Sequence, residues 1–475
     1  MNQTKQQAPL DVVIMAAGKG TRMKSKLPKV LHRLAGRALL QHVVDRAGDL
    51  AARRVVVITG HGAVEVEAAL TRTAGATAGF ALEFVRQEPQ LGTGHAVQQT
   101  VPVLPDDGVV VVLSGDVPLT QADTLRDLIA ACDSTQLALL TIDFADPTGY
   151  GRIVRASDGG VQAIVEHKDA TPAQHAIKEV YSGIMAVPAR LLKPWLARLD
   201  NKNAQGEYYL TDVVKFAVAD GVPVVAHKIS DPLQVAGINS PVQLAELERA
   251  HQLRVAQALM VQGVRLADPA RFDVRGELTC AQDVEIDVNC IFEGQVLLGE
   301  GVKIGANCVI AHARIEAGAV IHPFTHIDGG SSSAKDQVVV GAGALVGPFA
   351  RLRPGAKLGE QVHIGNFVEV KNATLANGAK ANHLAYVGDS ALGERVNFGA
   401  GSITANYDGS NKHKTVIEHD VHIGSNCVLV APVTIGAGGT VGGGSTITKD
   451  TAPGVLTVAR AKQVSLTNWT RPVKK

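Results

Sequence analysis

The second half of the chain has the most regular hydrophobic pattern, because from about residue 280 onward an apolar side chain recurs at every sixth position. A Gly, Asp, Glu or Ala generally follows it, and a small residue stands four places on. Each unit of six consecutive residues forms one flat face and one corner, so three units close a triangular coil of about 18 residues. The period predicts a parallel β-helix with an internal column of apolar side chains. The column positions are Ile286, Phe292, Leu298, Ile304, Ile310, Ile315, Ile321, Ile327, Val340, Val346, Leu352, Leu358, Ile364, Val370, Leu375, Ala381, Val387, Leu392, Phe398, Ile417, Ile423, Leu429, Ile435, Val441 and Ile447.

Three one-residue slips and two longer interruptions break this period. The slips follow Ile310, Val370 and Val387, where the next repeat begins one residue early. The interruptions at residues 328–338 and 405–415 are polar, and we expect surface loops there, where binding residues are often placed. The repeat resembles the left-handed parallel β-helix of the hexapeptide acyltransferases.

The first 240 residues follow a different pattern, in which short apolar runs alternate with helical stretches. The runs at residues 11–15, 55–59 and 109–113 are continuous and rich in Val and Ile, as in strands buried on both faces of a mostly parallel sheet. Residues 30–45 and 122–132 are predicted helices. The alternation predicts a Rossmann-like α/β domain.

One long helical pattern at residues 241–262 joins the two halves. Pro241 suits the first turn of a helix, and Gly263 suits its end. We therefore expect a domain at residues 1–240, a linker helix at 241–262 and a β-helix domain at 263–475.

Composition and charge limit the partners of the chain. The 49 Gly and the 46% of hydrophobic residues fit many short strands joined by tight turns. The formal net charge is +1, from 46 Lys and Arg against 45 Asp and Glu, so neither nucleic acid nor a membrane is an expected partner. The sequence has no apolar run of membrane length and no basic-then-apolar leader, so we expect a cytoplasmic protein. The five Cys form no CxxC pair, so no zinc site is expected.

A glycine-rich turn follows the first predicted strand. Residues 16–23 read AAGKGTRM, and Lys29 stands shortly after them. Backbone N–H groups of such a turn can cradle phosphates, although the spacing is neither that of a Walker A loop nor GxGxxG. The whole string resembles the signature of the sugar-1-phosphate nucleotidyltransferases.

Further strings extend the resemblance along the chain. Residues 87–95 (QEPQLGTGH) look like the base-reading loop of that family, and residues 114–119 (SGDVPL) end a strand with a carboxylate, where open sheets bind ligands. Residues 352–356 (LRPGA) and 381–388 (ANHLAYVG) add matches in the second half. Together they resemble a family of bacterial bifunctional enzymes that join an N-acetylglucosamine-1-phosphate uridylyltransferase to a glucosamine-1-phosphate N-acetyltransferase. The match begins at residue 11 and runs to the C-terminal end.

The resemblance implies a uridylyl site in the first half. Asp116 and Asn239 would hold Mg²⁺, while Lys29 and Arg22 would neutralise the triphosphate of UTP. The residues matched to uracil are Gln87, Gly92 and Thr93, and those matched to the sugar are Gly151 and Glu166. The other matched residues are Ala16, Ala17, Gly18, Ser114, Gly115 and Ser182, of which Ser114 and Ser182 depart from the Tyr and Asn that the family often has.

The second half contains a histidine that the repeat does not explain. His383 stands two residues after the column position Ala381. It matches the catalytic base of the family, which would take a proton from the sugar amine as that amine attacks the thioester of acetyl-CoA. The residues matched to the sugar phosphate and to acetyl-CoA are Arg353, Lys371, Tyr386, Asn397, Ala400, Asn406, Tyr407, Ser425, Gly443 and Arg460.

The resemblance implies two consecutive reactions, N-acetylation of glucosamine-1-phosphate and then uridylyl transfer from UTP, which yield UDP-N-acetylglucosamine, a precursor of peptidoglycan and lipopolysaccharide. The chain would form a homotrimer through the β-helix. One alternative is a monofunctional glucose-1-phosphate nucleotidyltransferase whose β-helix serves only assembly, which His383 and Tyr386 argue against. The other is a non-enzymatic scaffold with a nucleotide sensor, which Asp116 and Asn239 argue against.

Overall fold

The structure, a computed structural model, describes residues 8–74 and 79–474. Residues 1–7 and 475, at the ends of the predicted domains, lie outside the described residues. The chain forms two units and passes from one to the other between His251 and Gln252. None of the helices in the described ranges combines the length and the apolar character that crossing a membrane requires.

A mixed sheet forms the centre of the first unit. Its main strands run in the order β11-β7-β10-β6-β1-β4-β5, and β10 is antiparallel to both of its neighbours. The strands are β1 (Leu10–Met15), β2 (Arg33–Leu34), β3 (Arg37–Ala38), β4 (Arg54–Thr59), β5 (Ala81–Arg86), β6 (Val109–Ser114), β7 (Leu137–Asp143), β8 (Arg152–Arg155), β9 (Val161–Val165), β10 (Glu179–Pro188) and β11 (Val224–Ile229). The helices are α1 (Leu39–Asp49), α2 (Ala63–Ala74), α3 (Thr93–Gln98), α4 (Ala122–Cys132), α5 (Pro172–His175), α6 (Ala189–Ala197), α7 (Val213–Ala219) and α8 (Pro241–Val261).

The central strands are continuously apolar because helices cover both faces of the sheet. In β1, Val12 and Ile14 pack into one hydrophobic core and Val13 packs into the core on the opposite face. β1 is parallel to β4 and β6, so the carboxyl ends of these strands lie at one edge of the sheet. The predicted α/β domain is therefore confirmed, and that edge positions the first site.

The predicted helix at residues 30–45 is wrong in its first half. Lys29–Leu31 form one 3₁₀ turn, β2 and β3 form a short hairpin, and α1 begins only at Leu39. Ala35 and Gly36 lie between the two strands with φ angles of 49° and 80°. Two consecutive residues in the left-handed region make a tight hairpin turn, which a continuous helix cannot contain.

The helix α8 spans Pro241–Val261, within the predicted range. In its first half, Leu247 packs in a core with Met23 and Leu34 of the first unit. In its second half, Ala256 and Leu259 belong to the core of the β-helix. Each half of this helix thus completes the core of its own unit, and the predicted limits of the domains remain a prediction.

The second unit is a parallel β-helix with three faces. Face one contains β12, β14, β16, β18, β21, β24, β27, β30, β33, β36 and β38; face two contains β19, β22, β25, β28, β31, β34 and β37; face three contains β20, β23, β26, β29, β32 and β35; β13, β15 and β17 cross faces two and three. The strands are β12 (Arg265–Leu266), β13 (Phe272–Cys280), β14 (Glu285–Ile286), β15 (Cys290–Leu298), β16 (Lys303–Ile304), β17 (Val309–Ile315), β18 (Val320–Ile321), β19 (His326–Asp328), β20 (Val338–Val340), β21 (Leu345–Val346), β22 (Arg351–Leu352), β23 (Lys357–Leu358), β24 (His363–Asn366), β25 (Glu369–Lys371), β26 (Thr374–Leu375), β27 (Lys380–His383), β28 (Tyr386–Gly388), β29 (Ser390–Leu392), β30 (Asn397–Phe398), β31 (Ile403–Ala405), β32 (Thr415–Ile417), β33 (His422–Ile423), β34 (Val428–Val430), β35 (Val433–Ile435), β36 (Thr440–Val441), β37 (Thr446–Ile447) and β38 (Leu456–Thr457).

Strand register explains the slips and interruptions of the repeat. Leu345 pairs with His363, one full coil later, and His363 pairs with Lys380, one residue short of a full coil. Asn397 pairs with His422 because the loop after β31 lengthens that coil. The predicted column positions are all buried in one continuous core. The predicted architecture, an α/β domain followed by a parallel β-helix, is confirmed.

Candidate active sites

A cavity of about 430 Å³ lies at the carboxyl ends of β1 and β6, and we call it the N-terminal pocket. Its walls come from the glycine-rich turn after β1, the loop after β5 and the end of β6. Of the residues predicted for the uridylyl site, those that line it are Ala16, Ala17, Gly18, Lys29, Gln87, Gly92, Thr93, Ser114 and Asp116. Lys19, Gln90 and Glu207 also line it; of these, Glu207 comes from a segment that lacks any periodic pattern to mark it.

Lys29 joins the two predicted metal ligands in the N-terminal pocket. Its Nζ donates hydrogen bonds to Asp116 Oδ2 and, at 3.0 Å, to Asn239 Oδ1. Ser114 Oγ donates to the other oxygen of Asp116 at 2.7 Å. Oδ2 of Asp116 and Oδ1 of Asn239 therefore converge on one cationic group, the ammonium of Lys29. Carboxylate and amide oxygens are ligands that Mg²⁺ accepts, so the donor set fits that ion.

Two protein oxygens leave most of a magnesium coordination sphere to other ligands. Among the described residues, no group of three His, Cys, Asp or Glu side chains could hold a metal by itself. Mg²⁺ commonly binds through one or two protein oxygens, several waters and the phosphates of a substrate. The arrangement suits an ion that arrives with a nucleotide.

The loop after β5 is held in place by its own side chains and by a distant segment. Gln87 is buried, and its amide donates to the carbonyl oxygen of Gly92 at 2.9 Å. Thr93 Oγ1 accepts a hydrogen bond from the backbone of Leu210 at 3.1 Å. Gly92 has a φ of 110°, and a Cβ there would lie 2.6 Å from the carbonyl oxygen of Tyr208. Only glycine fits this position without displacing backbone.

The predicted sugar residues lie beside one another, Gly151 directly before β8 and Glu166 directly after β9. A Cβ on Gly151 would be 3.6 Å from Glu166 Oε1, so these two residues are neighbours. Burial raises the pKa of Glu166, although a 2.9 Å hydrogen bond from Thr211 Oγ1 acts in the opposite direction. The nearby hydroxyl of Tyr181 is buried and has no hydrogen-bond partner among the described residues. Thr211 and Tyr181 lie in strings that resemble the family (residues 206–212 and 180–183), but the sequence assigned neither of them a role.

Three further residues predicted for the uridylyl site, Arg22, Gly115 and Ser182, do not line the N-terminal pocket. Arg22 is exposed on a 3₁₀ turn that follows the glycines. Gly115 donates its backbone N–H to the carbonyl of Met15 at 2.9 Å, which ties the end of β6 to β1. Ser182 is buried in β10, and its Oγ accepts from the backbone of Ile184 at 3.3 Å. The hydroxyl of Ser182 is thus already hydrogen-bonded within its own strand.

In the β-helix, His383 is the last residue of β27 and its side chain is exposed. Ala381, two residues earlier, points into the core, so the alternation along the strand directs His383 outward. Its Nδ1 lies 2.8 Å from Oδ1 of Asn366 in the coil below. The other ring nitrogen has no partner among the described residues, which suits a base that meets a substrate.

Cations gather on the face that adjoins His383. Arg353 and Lys371 lie at the far end of face two in successive coils, and Arg353 donates to Glu369 at 2.7 Å. The ammonium of Lys412, in the loop after β31, lies beside that of Lys371 and lowers the pKa of Lys371, and desolvation acts in the same direction. Three cations with one carboxylate make a site for an anion such as phosphate. Lys412 lies in the interruption at residues 405–415, where a binding loop was expected, but the sequence did not mark this lysine because the position of the loop is set by the coil it leaves.

Tyr386 lies along face two between His383 and these cations. A Cβ on Gly388 would be only 2.3 Å from the Tyr386 hydroxyl oxygen, so the absence of a side chain there allows the ring to lie over the strand. Asn406 donates its amide to Asp389, at the same corner as the cations. Tyr407 pairs through its backbone with Lys412, so the loop folds back as a hairpin.

The residues predicted for acetyl-CoA follow the corner between faces one and two above His383. Asn426 in the next coil donates its backbone N–H to Ala400 at 2.8 Å, Ser425 lies against Gly443, and Arg460 donates to the carbonyl of Gly443 at 2.6 Å. Coils of a β-helix stack about 4.8 Å apart, so this row suits a long, extended ligand. Asn397 lies on face one, where it pairs with Lys380 and His422, and not on this corner.

The fold and the two sites define a nucleotidyltransferase joined to a hexapeptide-repeat acyltransferase. Residues 12–205 match the family model of the MobA-like NTP transferase domain, and residues 337–372 and 414–449 match that of the bacterial transferase hexapeptide. Each match falls on the unit whose fold it describes.

Similarity to known proteins extends over nearly the whole chain. A protein from Albidiferax ferrireducens is 79% identical over 98% of this chain and 100% of its own length. Proteins from Polaromonas naphthalenivorans and Paracidovorax citrulli are 75% and 73% identical, each over 98% of both chains. All three carry the name Bifunctional protein GlmU, and the chain belongs to the GlmU family. The prediction of a bifunctional transferase is confirmed: the chain combines a uridylyltransferase with an N-acetyltransferase and serves the synthesis of UDP-N-acetylglucosamine.

Proposed function

We propose that the β-helix transfers the acetyl group of acetyl-CoA to the amine of glucosamine-1-phosphate at His383. The observation that carries this assignment is the outward position of His383 at the end of face one, next to the face whose far end carries Arg353 and Lys371 and is joined there by Lys412 from the loop after β31. A histidine is well suited to proton transfer near neutral pH. The cations supply a site for the phosphate of the sugar, and the row of Ala400, Ser425 and Gly443 supplies one for the extended cofactor.

In this reaction, the amine nitrogen attacks the carbonyl carbon of the thioester. The C–N bond forms, the C–S bond breaks, and CoA leaves through its sulfur. His383 accepts the proton that the nitrogen loses, and the departing sulfur takes up a proton to become the thiol. Arg353, Lys371 and Lys412 hold the phosphate, and Tyr386 orients the sugar between the phosphate and the base. Proximity and proton transfer account for the catalysis, and the mechanism needs no covalent enzyme intermediate.

The N-terminal pocket then receives UTP and N-acetylglucosamine-1-phosphate. A phosphate oxygen of the sugar attacks the α-phosphorus of UTP, and the bond to pyrophosphate breaks. Asp116 and Asn239 would hold Mg²⁺, which when bound neutralises phosphate charge. Lys29 and Arg22 neutralise the remaining charge on the triphosphate.

Recognition of the two substrates is divided between the N-terminal pocket and the residues at the start of β8 and the end of β9. Gln87, Gly92 and Thr93 contact the uracil through the loop after β5. Gly151 and Glu166 bind the N-acetylglucosamine moiety. Ala16, Ala17 and Gly18 present backbone to the phosphates, and Gly115, Ser114 and Ser182 complete the surroundings of the metal and the sugar.

The chain assembles as a homotrimer through its β-helix. Support comes from a row of exposed apolar side chains at the corner between faces one and two, which we call the aromatic corner: Phe324, Phe349, Phe367 and Leu384, whose exposed fractions are 50%, 48%, 55% and 62%. The three rings stack in successive coils, with centroids 5.0 and 5.4 Å apart. Exposure of such an apolar row to water is unfavourable, and contact with another subunit would bury it. Leu384 directly follows His383, so the covered surface would border the acetyl site.

Separate substitutions in the two halves test the assignment. His383→Ala is expected to lower acetyl transfer by about 10²–10⁴-fold and to leave uridylyl transfer near that of the unmodified chain. Asp116→Ala is expected to do the reverse. Both rates are measured on the same preparation, as release of CoA thiol and of pyrophosphate. Full acetyltransferase activity in His383→Ala would show that another residue is the base.

A further inference from the structure

We propose that Asn366 is a positioning residue for the acetyl transfer: its Oδ1 accepts a hydrogen bond from Nδ1–H of His383 and thereby leaves the lone pair of Nε2 free to take the proton of the amine. The inference rests on the proposed function of His383. It assigns to Asn366 a role that acts through the base and not through contact with a substrate.

The backbone holds the two side chains in register. Asn366 ends β24 and His383 ends β27, and the two residues are paired directly in adjacent coils of face one. The carbonyl oxygen of Asn366 also accepts the backbone N–H of Leu384 at 3.0 Å. A Cβ on Gly365 would lie 1.9 Å from the carbonyl oxygen of Asn382, so the strands are in closest contact next to this pair. The position of Asn366 relative to the ring is therefore fixed by main chain.

The 2.8 Å distance between Oδ1 of Asn366 and Nδ1 of His383 then selects one tautomer. A neutral imidazole has one N–H and one lone pair, so an acceptor at Nδ1 requires the hydrogen there and places the lone pair on Nε2. An exposed imidazole without such a partner would divide its time between both tautomers and several ring orientations. The amide oxygen removes those alternatives before the substrate arrives.

An amide performs this task differently from a carboxylate. A carboxylate at the same place would also stabilise the protonated ring, and the base would be occupied by a proton at neutral pH. The charged or titratable residues on the two strands are His363 and Lys380, and those on the adjoining strands of face two are Glu369, Lys371 and Tyr386. Above His383, the corresponding residue of the next coil is the uncharged Ala400. Asn366 is thus the residue in hydrogen-bond contact with Nδ1 and carries no charge.

Two substitutions at one position test the proposal. Asn366→Ala is expected to lower kcat of acetyl transfer by about 10–100-fold, with KM for glucosamine-1-phosphate and for acetyl-CoA unchanged within about twofold, because the substrates do not contact Asn366. Asn366→Asp keeps the acceptor and adds a charge. It is expected to retain most of kcat at high pH while the acid limb of the kcat/KM profile moves to higher pH by about one unit.

Controls come from the same chain. Asn377 also uses its Oδ1 to accept a hydrogen bond from the coil below, from the backbone of Glu360 at 2.9 Å, but it lies at a different corner. Asn377→Ala and Asn377→Asp should leave both kcat and the pH profile of acetyl transfer unchanged. The uridylyl site lies in the other unit, so the mass of each variant, measured by light scattering during size-exclusion chromatography, reports whether the β-helix still folds and assembles.

The outcomes separate the two levels of the proposal. If His383→Ala retains acetyl transfer, the proposed base is wrong and the role of Asn366 falls with it. If His383→Ala loses acetyl transfer but Asn366→Asp leaves the acid limb in place, Asn366 does not act on the base, and the inference alone is overturned. Equal loss of kcat at all pH values in Asn366→Ala and Asn366→Asp would also overturn it, since a merely structural role predicts that result.

Discussion

At the scale of single residues, three polar side chains that are far apart in the sequence meet at one point of the N-terminal pocket. Lys29, Asp116 and Asn239 come from the turn after the glycines, the end of β6 and the segment before α8. Lys29 has two tasks that cannot be performed in one position, since it neutralises Asp116 in the free chain and is proposed to neutralise a triphosphate during the reaction. A metal ion that binds Asp116 and Asn239 must displace this ammonium.

Replacement of Lys29 by an uncharged residue should therefore strengthen metal binding in the absence of nucleotide. Hydrogen bonds to charged groups contribute about 1.5–3 kcal/mol, so Lys29→Met is expected to tighten Mn²⁺ binding by about 10- to 100-fold, while uridylyl transfer falls. Titration of free Mn²⁺ by electron paramagnetic resonance measures the affinity. Lys19→Met, in the same pocket, is the matched control and should not tighten binding. Unchanged Mn²⁺ affinity in Lys29→Met would show that its ammonium does not compete with the metal.

At the scale of elements, the N-terminal pocket depends on a loop that is shaped by a distant segment. The loop after β5 donates the backbone of Gly94 to the carbonyl of Tyr208 at 2.7 Å, and Tyr208 donates back to Leu91 at 2.8 Å. Gly92 lies between these bonds in a left-handed conformation and in close contact with the same backbone. The shape of the proposed uracil site is therefore a property of two packed elements and not of the loop alone.

A methyl group at position 92 should disturb this packing. Gly92→Ala is expected to raise KM for UTP and to lower kcat/KM of uridylyl transfer at least tenfold, because the backbone of Tyr208 must move. Gly159 also has a positive φ, of 87°, but no atom lies within 4 Å of an added Cβ, so Gly159→Ala separates backbone strain from the clash. Acetyl transfer should be normal in both variants. Equal effects of the two substitutions on uridylyl transfer would contradict the role of the close contact.

At the scale of the whole molecule, the two units are linked by one helix whose halves belong to different cores. Glu248 accepts the backbone N–H of Ala35 at 2.7 Å in the first unit. Gln252, four residues later, exchanges two hydrogen bonds of 2.8 Å with the backbone of Val274 in the first coil of the β-helix. The helix therefore completes two cores, and the division between the units falls between His251 and Gln252.

Truncation of the chain between His251 and Gln252 should separate assembly of the trimer from uridylyl transfer. A fragment of residues 1–251 is expected to catalyse uridylyl transfer and to be monomeric, while the full chain is trimeric, because the aromatic corner lies in the β-helix. Light scattering during size-exclusion chromatography gives the masses, and pyrophosphate release gives the activity. A fragment of residues 1–240, which lacks Leu247, should unfold at lower temperature. A trimeric 1–251 fragment would contradict assembly through the β-helix.

Elements with a regular pattern of buried positions were predictable from the sequence. The column positions of the β-helix and the strands β1, β4 and β6 were predicted because their periods come from burial, which acts on each residue locally. The hairpin of β2 and β3 was missed because two left-handed residues override the helical pattern around them. The resemblance also rests on local strings, and the roles of Asp116 and His383 were proposed from the strings that contain them.

Contacts between distant segments could not be found in this way. The sequence alone determined that the chain is an α/β domain followed by a hexapeptide β-helix, since both are written in repeated local patterns. Contacts between distant segments bring Lys29 to both Asp116 and Asn239, Lys412 to Lys371, and Asn366 to the ring of His383. Such contacts depend on strand register and coil stacking, and a shift of one residue in either would place different side chains together.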